Sequence, residues 1–225
     1  MGRIMNLKTF FLIFIFNFSF IFSQEIDEIP NDVKWVTKSK EYKTLCEQIY
    51  FNAWNSIKKE VNSSKEPVII MDLDETVLDN SKYQIELFKK SEKYHPKSWN
   101  KWVEKEEADL VPGAKKFILN FKKKKNAKII FLSNRDNSTL ISTINNMKKL
   151  GILFEDDIFL LKKNSKDSKI ERRKEVFLGN NRMKKYGPKK IIAYFGDALG
   201  DFPEDEKYKF GVNNFIFPNP MYGKW

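Results

Sequence analysis

Four aspartates carry the chemistry open to this 225-residue chain. Asp72 and Asp74 stand two residues apart in Asp72-Leu73-Asp74-Glu75-Thr76, directly after the apolar run Val68-Ile69-Ile70-Met71. Two carboxylates so spaced, in the turn after a strand, can reach one ligand from successive loop positions. In phosphoryl transfer one attacks phosphorus as nucleophile. The other protonates the leaving oxygen and later deprotonates water. Acids that only cap a helix use the same residue types. Asp197 and Asp201 form a second pair in Gly196-Asp197-Ala198-Leu199-Gly200-Asp201, after another apolar run. Four carboxylates gathered in one place repel, by roughly 4 kcal/mol per pair about 4 Å apart at an effective dielectric of 20. A divalent cation resolves that conflict, and all-oxygen ligands select a hard ion such as Mg²⁺. With one histidine and one cysteine, the chain has no zinc pattern.

Two further clusters are weaker signals. Ser133-Asn134-Arg135 ends another apolar run, where a hydroxyl and backbone N–H groups can hold phosphate oxygens. The basic stretch 162–173 offers a lysine to neutralise phosphate and nucleophile; Lys169 is favoured, with Lys162 and Lys166 as rivals.

The elements that must position these groups follow from the apolar runs at 68–71, 129–132, 158–161, 191–195 and 215–217. Such runs fit strands buried on both faces. Between them lie helical patterns: Pro112 leads into a helix over 114–125, and Ser138 caps a helix over 139–150 that Gly151 stops. Residues 34–60 predict a helical lead-in, with Val36, Leu45, Ile49, Trp54 and Ile57 on its apolar face. Alternation of strand and helix predicts an α/β fold, a Rossmann-like parallel sheet with helices on both faces. Residues 34–60 and about 82–110 would contribute a small helical subdomain or cap. Ligands of such sheets bind beyond the carboxyl ends of the strands, where every polar cluster above sits.

In order and spacing, these clusters resemble the haloacid-dehalogenase superfamily, and within it the class C acid phosphatases, which include outer-membrane lipoprotein 5′-nucleotidases. The resemblance rests on MDLDETVLDNS at 71–81, Trp99 with Trp102, Val111-Pro112-Gly113-Ala114, Ser133 to Arg135, Ser168-Lys169 with Arg172-Arg173, the motif beginning at Gly196, and FPNPMYGKW at 217–225. It implies that Asp72 is the phosphorylated nucleophile, Asp74 the general acid/base, Ser133 a phosphate ligand and Lys169 the neutralising lysine. It also implies metal ligation by Asp72, the Asp74 carbonyl and Asp197, supported by Asp201. The implied substrates are small phosphomonoesters, especially 5′-nucleotides, with Tyr83, Trp99 and Tyr222 as candidates for stacking on the base. Trp102, three residues from Trp99, reads better as core, and His95 as a surface residue. The sequence departs from the family at Ala198, where asparagine is common, and in having no lipid-anchor cysteine. Phosphotransfer to another alcohol is the rival activity, and a non-catalytic surface or storage protein the rival outside enzymes.

The formal net charge is +11. Arg3 and Lys8 precede an apolar stretch over residues 9–22, and Ser23 follows; this pattern predicts a cleaved signal peptide over 1–23, with an uncleaved anchor as the alternative, and an exported protein, periplasmic or secreted, with no membrane anchor after cleavage. Removing those two basic residues and no acid leaves +9 on a single domain over 24–225. No nucleic-acid recognition motif accompanies the charge, so a nucleic-acid polymer is not expected as a partner. A homodimer is compatible with the sequence.

Overall fold

The computed structural model describes residues 29–223; the expected signal peptide lies outside them. Among the described residues, no helix is long and apolar enough to cross a membrane. Five parallel strands form the central sheet: β1 (Val68–Met71), β4 (Lys128–Asp136), β5 (Ile158–Lys162), β6 (Ile191–Gly196) and β7 (Asn214–Ile216), in the order β5-β4-β1-β6-β7. A short antiparallel ribbon, β2 (Leu78–Asp79) with β3 (Asp109–Leu110), stands apart from it.

Side chains of a strand alternate between faces, and β1 divides the core accordingly. Ile69 and Met71 join one apolar cluster, packed with Tyr50, Phe117, Phe131 and Phe195. Val68 and Ile70 join the other, with Ile130, Leu160, Val176 and Tyr194. Both faces are therefore covered, as continuous apolar runs require. One cover is the long helix α2 (Lys40–Ser63), which follows α1 (Asn31–Lys38); the chain breaks at Ser39, whose hydroxyl accepts from the Tyr42 N–H at 3.0 Å. Two helices thus replace the single lead-in. The buried stripe of α2 is Tyr42, Cys46, Tyr50, Ala53, Ile57 and Val61; of the expected apolar positions Val36 and Ile57 are buried, Ile49 and Trp54 pack against the core, and Leu45 is exposed.

Other boundaries also shift. Helix α5 (Ala114–Phe121) ends four residues early, because Lys122 turns back onto the Ala127 carbonyl and Asp156, and Asn126 takes φ 63° to enter β4. Pro112 does not open α5; Gly113 occupies the N-cap at φ 88°, and a Cβ there would sit 3.0 Å from the Tyr50 ring. Helix α6 (Leu140–Lys149) is preceded by a 3₁₀ turn at Asn137–Thr139, which Asp136 caps by accepting from the Ser138 N–H; the N-cap position of α6 itself is Thr139, not Ser138. Gly151 does lie just past its end, at φ 69°. Residues 82–110 contain α3 (Ser81–Lys89) and α4 (Pro96–Glu104), which rise beside the carboxyl end of β1 with β2 and β3; exposed His95 caps α4. Helix α7 (Lys169–Leu178) follows β5.

Candidate active site

The strand ends place the acids. The Asp72 N–H donates to the Phe195 carbonyl at 2.9 Å, continuing the β1–β6 pairing by one residue. The chain then turns tightly, with the Val77 and Leu78 N–H groups both on the Leu73 carbonyl and Glu75 held at φ 55°. A left-handed conformation is costly for a residue with a Cβ, so the turn must be held from outside. Across the sheet, Asp201 folds back, and its Oδ2 accepts from the N–H groups of Asp197 and Ala198 at 3.1 and 3.0 Å. Gly196 makes this possible, since a Cβ there would collide with the Asp201 side chain. Position 198 serves through its backbone, so alanine suffices.

Lys169 is the first residue of α7, which is capped by Ser168. Its ammonium lies 2.8 Å from Asp72 Oδ1 and hydrogen-bonds Asp201 Oδ1. Lys166 is exposed and Lys162 only half-buried, and neither reaches the acids. Asp72, Asp197 and Asp201 each offer a ligand oxygen within 4.8 Å of the others. Three carboxylates against one ammonium leave two negative charges, which one divalent cation would balance. Asp72 Oδ1, moreover, is buried and takes no aligned hydrogen bond. This all-oxygen, charge-deficient set fits a hard divalent cation. The Asp74 side chain is not part of it.

Electrostatics agree. Burial raises the Asp72 carboxyl well above the usual range; Lys169 opposes the rise, and Asp201, Asp197 and Asp74 add to it. Burial and then Asp201 push Asp197 up to about 6. A carboxyl raised in the folded state stabilises below its unfolded value of 3.8 and loses that contribution as pH rises through about 6. Metal-free protein is therefore expected to melt higher at pH 5 than at pH 7, by on the order of 5 °C. A saturating divalent cation should abolish that gain by favouring the ionised acids. Asp157, also raised to about 6 by burial, contributes with the same sign and is removed by Asp157→Asn. Calorimetric midpoints that stay flat or fall on acidification over this window would contradict the assignment.

Asp74 sits in a separate cage. Its Oδ1 accepts from Arg135 Nε at 2.9 Å and Asn80 Nδ2 at 3.0 Å, with Arg135 Nη2 at 2.8 Å. Its Oδ2 accepts from Ser133 Oγ at 3.3 Å. Arg135 is buried and also donates to Thr143 and Asn80, so its donors serve Asp74 and the fold. Ser133 is fully buried beneath Asp74, and exposed Asn134 reaches the cavity above. Holding that loop is Arg172, a residue to which the sequence reading gave no role. Fully buried one turn after Lys169, it donates to the carbonyls of Ser133 at 2.5 Å and Leu160 at 2.9 Å, and to Asn134 Oδ1 at 2.6 Å.

Above the acids lies a cavity of about 550 Å³. Asp72, Asp74, Asn134, Arg135, Lys169, Asp197 and Asp201 line its base, with Phe88, Tyr94, Trp99 and Tyr222 among its walls. Tyr83 does not line it. The Tyr83 ring packs edge-on against Trp99, and its hydroxyl meets Ser98 at 2.9 Å, so it is core rather than a stacking platform. Trp102 is buried and donates to Asn80 Oδ1 at 2.9 Å. Tyr222 presents its ring to the cavity while its hydroxyl donates to Glu75 Oε2. Glu75, Asn80 and Asn219 complete the frame; Glu75 accepts from the Asn80 N–H at 2.8 Å and so holds the strained turn. Sequence reading assigned none of them, although all three fall within its motifs 71–81 and 217–225.

Known proteins share this fold. The chain is similar to a class C acid phosphatase from Bacillus anthracis, in two structures of which one has tungstate bound, at 31% identity and a TM-score of 0.72, covering 87% of this chain and 85% of that one. It is also 28% identical over 187 residues to the stem 31 kDa glycoprotein of Glycine max, covering 80% of this chain and 66% of that protein's length. The family model for subfamily IIIB of the HAD superfamily, the acid phosphatases, matches residues 14–225. With the aspartates at the carboxyl ends of β1 and β6 in a five-stranded parallel sheet, the chain belongs to the HAD superfamily, subfamily IIIB, the acid phosphatases.

Proposed function

We propose that this protein is a Mg²⁺-dependent phosphatase of small phosphomonoesters, preferentially 5′-nucleotides, exported by its leader. One observation carries the reading: Lys169 stands 2.8 Å from Asp72 at the base of a cavity of about 550 Å³, with Asp74, Asp197 and Asp201 around it. The tungstate in the Bacillus anthracis relative is a tetrahedral oxyanion like phosphate, which supports an oxyanion seat here.

Asp72 attacks phosphorus; its oxygen–phosphorus bond forms as the ester oxygen–phosphorus bond breaks, and Asp74 gives the leaving oxygen a proton. Water then attacks the aspartyl-phosphate, Asp74 takes the water's proton, and phosphate leaves with Asp72 restored. Lys169 balances charge at Asp72 in both steps. Arg135 and Asn80 hold Asp74 Oδ1, so the proton is carried on Oδ2, which takes only the longer bond from Ser133 Oγ. Asp72 and Asp197, with the Asp74 carbonyl, would hold Mg²⁺, which supplies charge neutralisation to the phosphoryl oxygens. Asp201 supports the site by binding Lys169 and the Asp197 and Ala198 N–H groups.

The aromatic walls support the nucleotide preference, since stacking on one base is worth about 1–3 kcal/mol. In a panel of mononucleotides, sugar phosphates and nitrophenyl phosphate, mononucleotides should exceed sugar phosphates in kcat/KM by roughly 5–150-fold. Chelation should abolish turnover and Mg²⁺ restore it. Equal kcat/KM across the panel would remove the nucleotide preference, and turnover indifferent to chelation would remove the metal. Asp74→Asn should cost on the order of 10²–10⁴-fold on a nucleotide, and far less on nitrophenyl phosphate, whose leaving group needs little protonation. Equal losses on both would defeat the role given to Asp74.

A further inference from the structure

The segment after β7 is tied to the site more closely than a tail needs to be. The Phe217 N–H donates to the Gly196 carbonyl at 2.8 Å, which registers this segment against the end of β6, one residue before Asp197. Pro218 and Pro220 follow, on either side of Asn219. Each proline fixes its own φ and lacks an N–H, so neither adjacent residue offers a backbone donor that could compete for Asp197, and Pro220 restricts the backbone of Asn219 before it. The Met221 N–H donates to Asn219 Oδ1 at 3.1 Å, which settles which end of the amide is oxygen. The other end, Nδ2, donates to Asp197 Oδ2 at 2.7 Å.

We propose that Asn219 is a positioning residue for the metal site, engaging one oxygen of Asp197 and aiming the other at the cation shared with Asp72. This rests on the metal-dependent reading above. A carboxylate at the end of a strand can rotate about its χ2, and each orientation presents a different oxygen to the cation. Asn219 removes that freedom before the metal arrives. Outer partners that orient metal ligands typically account for about 10–100-fold in metal affinity.

The test is Mg²⁺ binding by calorimetry to the full chain and to Asn219→Ala, with thermal midpoints measured with and without Mg²⁺. The variant should bind Mg²⁺ about 10–100-fold more weakly, keep its metal-free midpoint, and show a smaller upshift on adding Mg²⁺. At saturating Mg²⁺ its kcat should recover to within about threefold, so that the defect appears in the metal requirement. Asn219→Ser, whose shorter side chain stops short of Asp197, carries the same expectation if the alanine variant folds poorly. Affinity within twofold of the wild type would overturn the inference. So would a lowered metal-free midpoint with Mg²⁺ affinity intact, which is the signature of a purely structural residue. A wild-type chain that takes up no Mg²⁺ would fail the functional reading and this inference together, whereas equal binding by both proteins would fail this inference alone.

Discussion

Asp72→Asn is expected to lower phosphatase turnover by on the order of 10⁴–10⁶-fold, the loss typical of removing a nucleophile from a site whose groups act as a unit. The fold should survive. Burial raises the Asp72 carboxyl more than Lys169 lowers it, so this position disfavours a negative charge in the metal-free protein. A neutral amide of the same shape removes repulsion from Asp197, Asp201 and Asp74, and the metal-free midpoint at pH 7 should equal or exceed that of the wild type. Stability gained as activity is lost marks a site strained for function. Beryllium fluoride should stabilise the wild type and leave the variant unmoved. Substantial Mg²⁺-dependent turnover in the variant, or an equal fluoride response, would rule out Asp72 as nucleophile.

Lys169→Met is expected to cost about 10²–10³-fold in turnover, through loss of the ammonium that faces the nucleophile. Its effect on stability should have the opposite sign to that of Asp72→Asn. Lys169 is nearly buried, and its charge offsets both Asp72 and Asp201; burial alone would lower its pKa, but those two carboxylates hold it raised. Removing one partner of a buried ion pair typically costs about 3–5 kcal/mol. Part of that cost is avoidable, because the abandoned carboxylates can take up protons. The metal-free variant should therefore melt well below the wild type at pH 7 and approach it at pH 5. Lys162→Met and Lys166→Met, which lie away from the acids, should change neither turnover nor this pH response. Comparable effects from either would mean that the neutralising charge comes from elsewhere in the 162–169 stretch.

The sheet was legible because its strands are buried on both faces. A parallel strand under helices has no solvent side, so Val68-Ile69-Ile70-Met71 carries no alternation and reads as a strand by composition. The acids follow such runs immediately, and the general geometry of parallel sheets then places them together. Helix faces were less legible. Around α2, Leu45 and Cys46 are adjacent and both apolar, yet only Cys46 is buried. Docking against the sheet decided which of two adjacent apolar residues faced inward. Tyr83 misled for a related reason. An aromatic ring suits a stacking wall and a core equally, and its side of α3 is set by Trp99 and Ser98.

What the sequence determined by itself was the chemistry: carboxylates paired at strand ends, a basic helix start, and a composition that calls for a hard cation. These are local properties, fixed by residue type and by the element that precedes each residue. Tertiary structure alone decided which lysine meets Asp72, that Arg135 is committed to Asp74, and that Arg172 ties β4 and β5 to the start of α7. It alone brought Tyr222 to Glu75, 147 residues away, and Asn219 to Asp197. Such contacts depend on how far each strand end projects and where the next helix lands. Those distances are set by packing across the whole sheet, and no short stretch of sequence contains them.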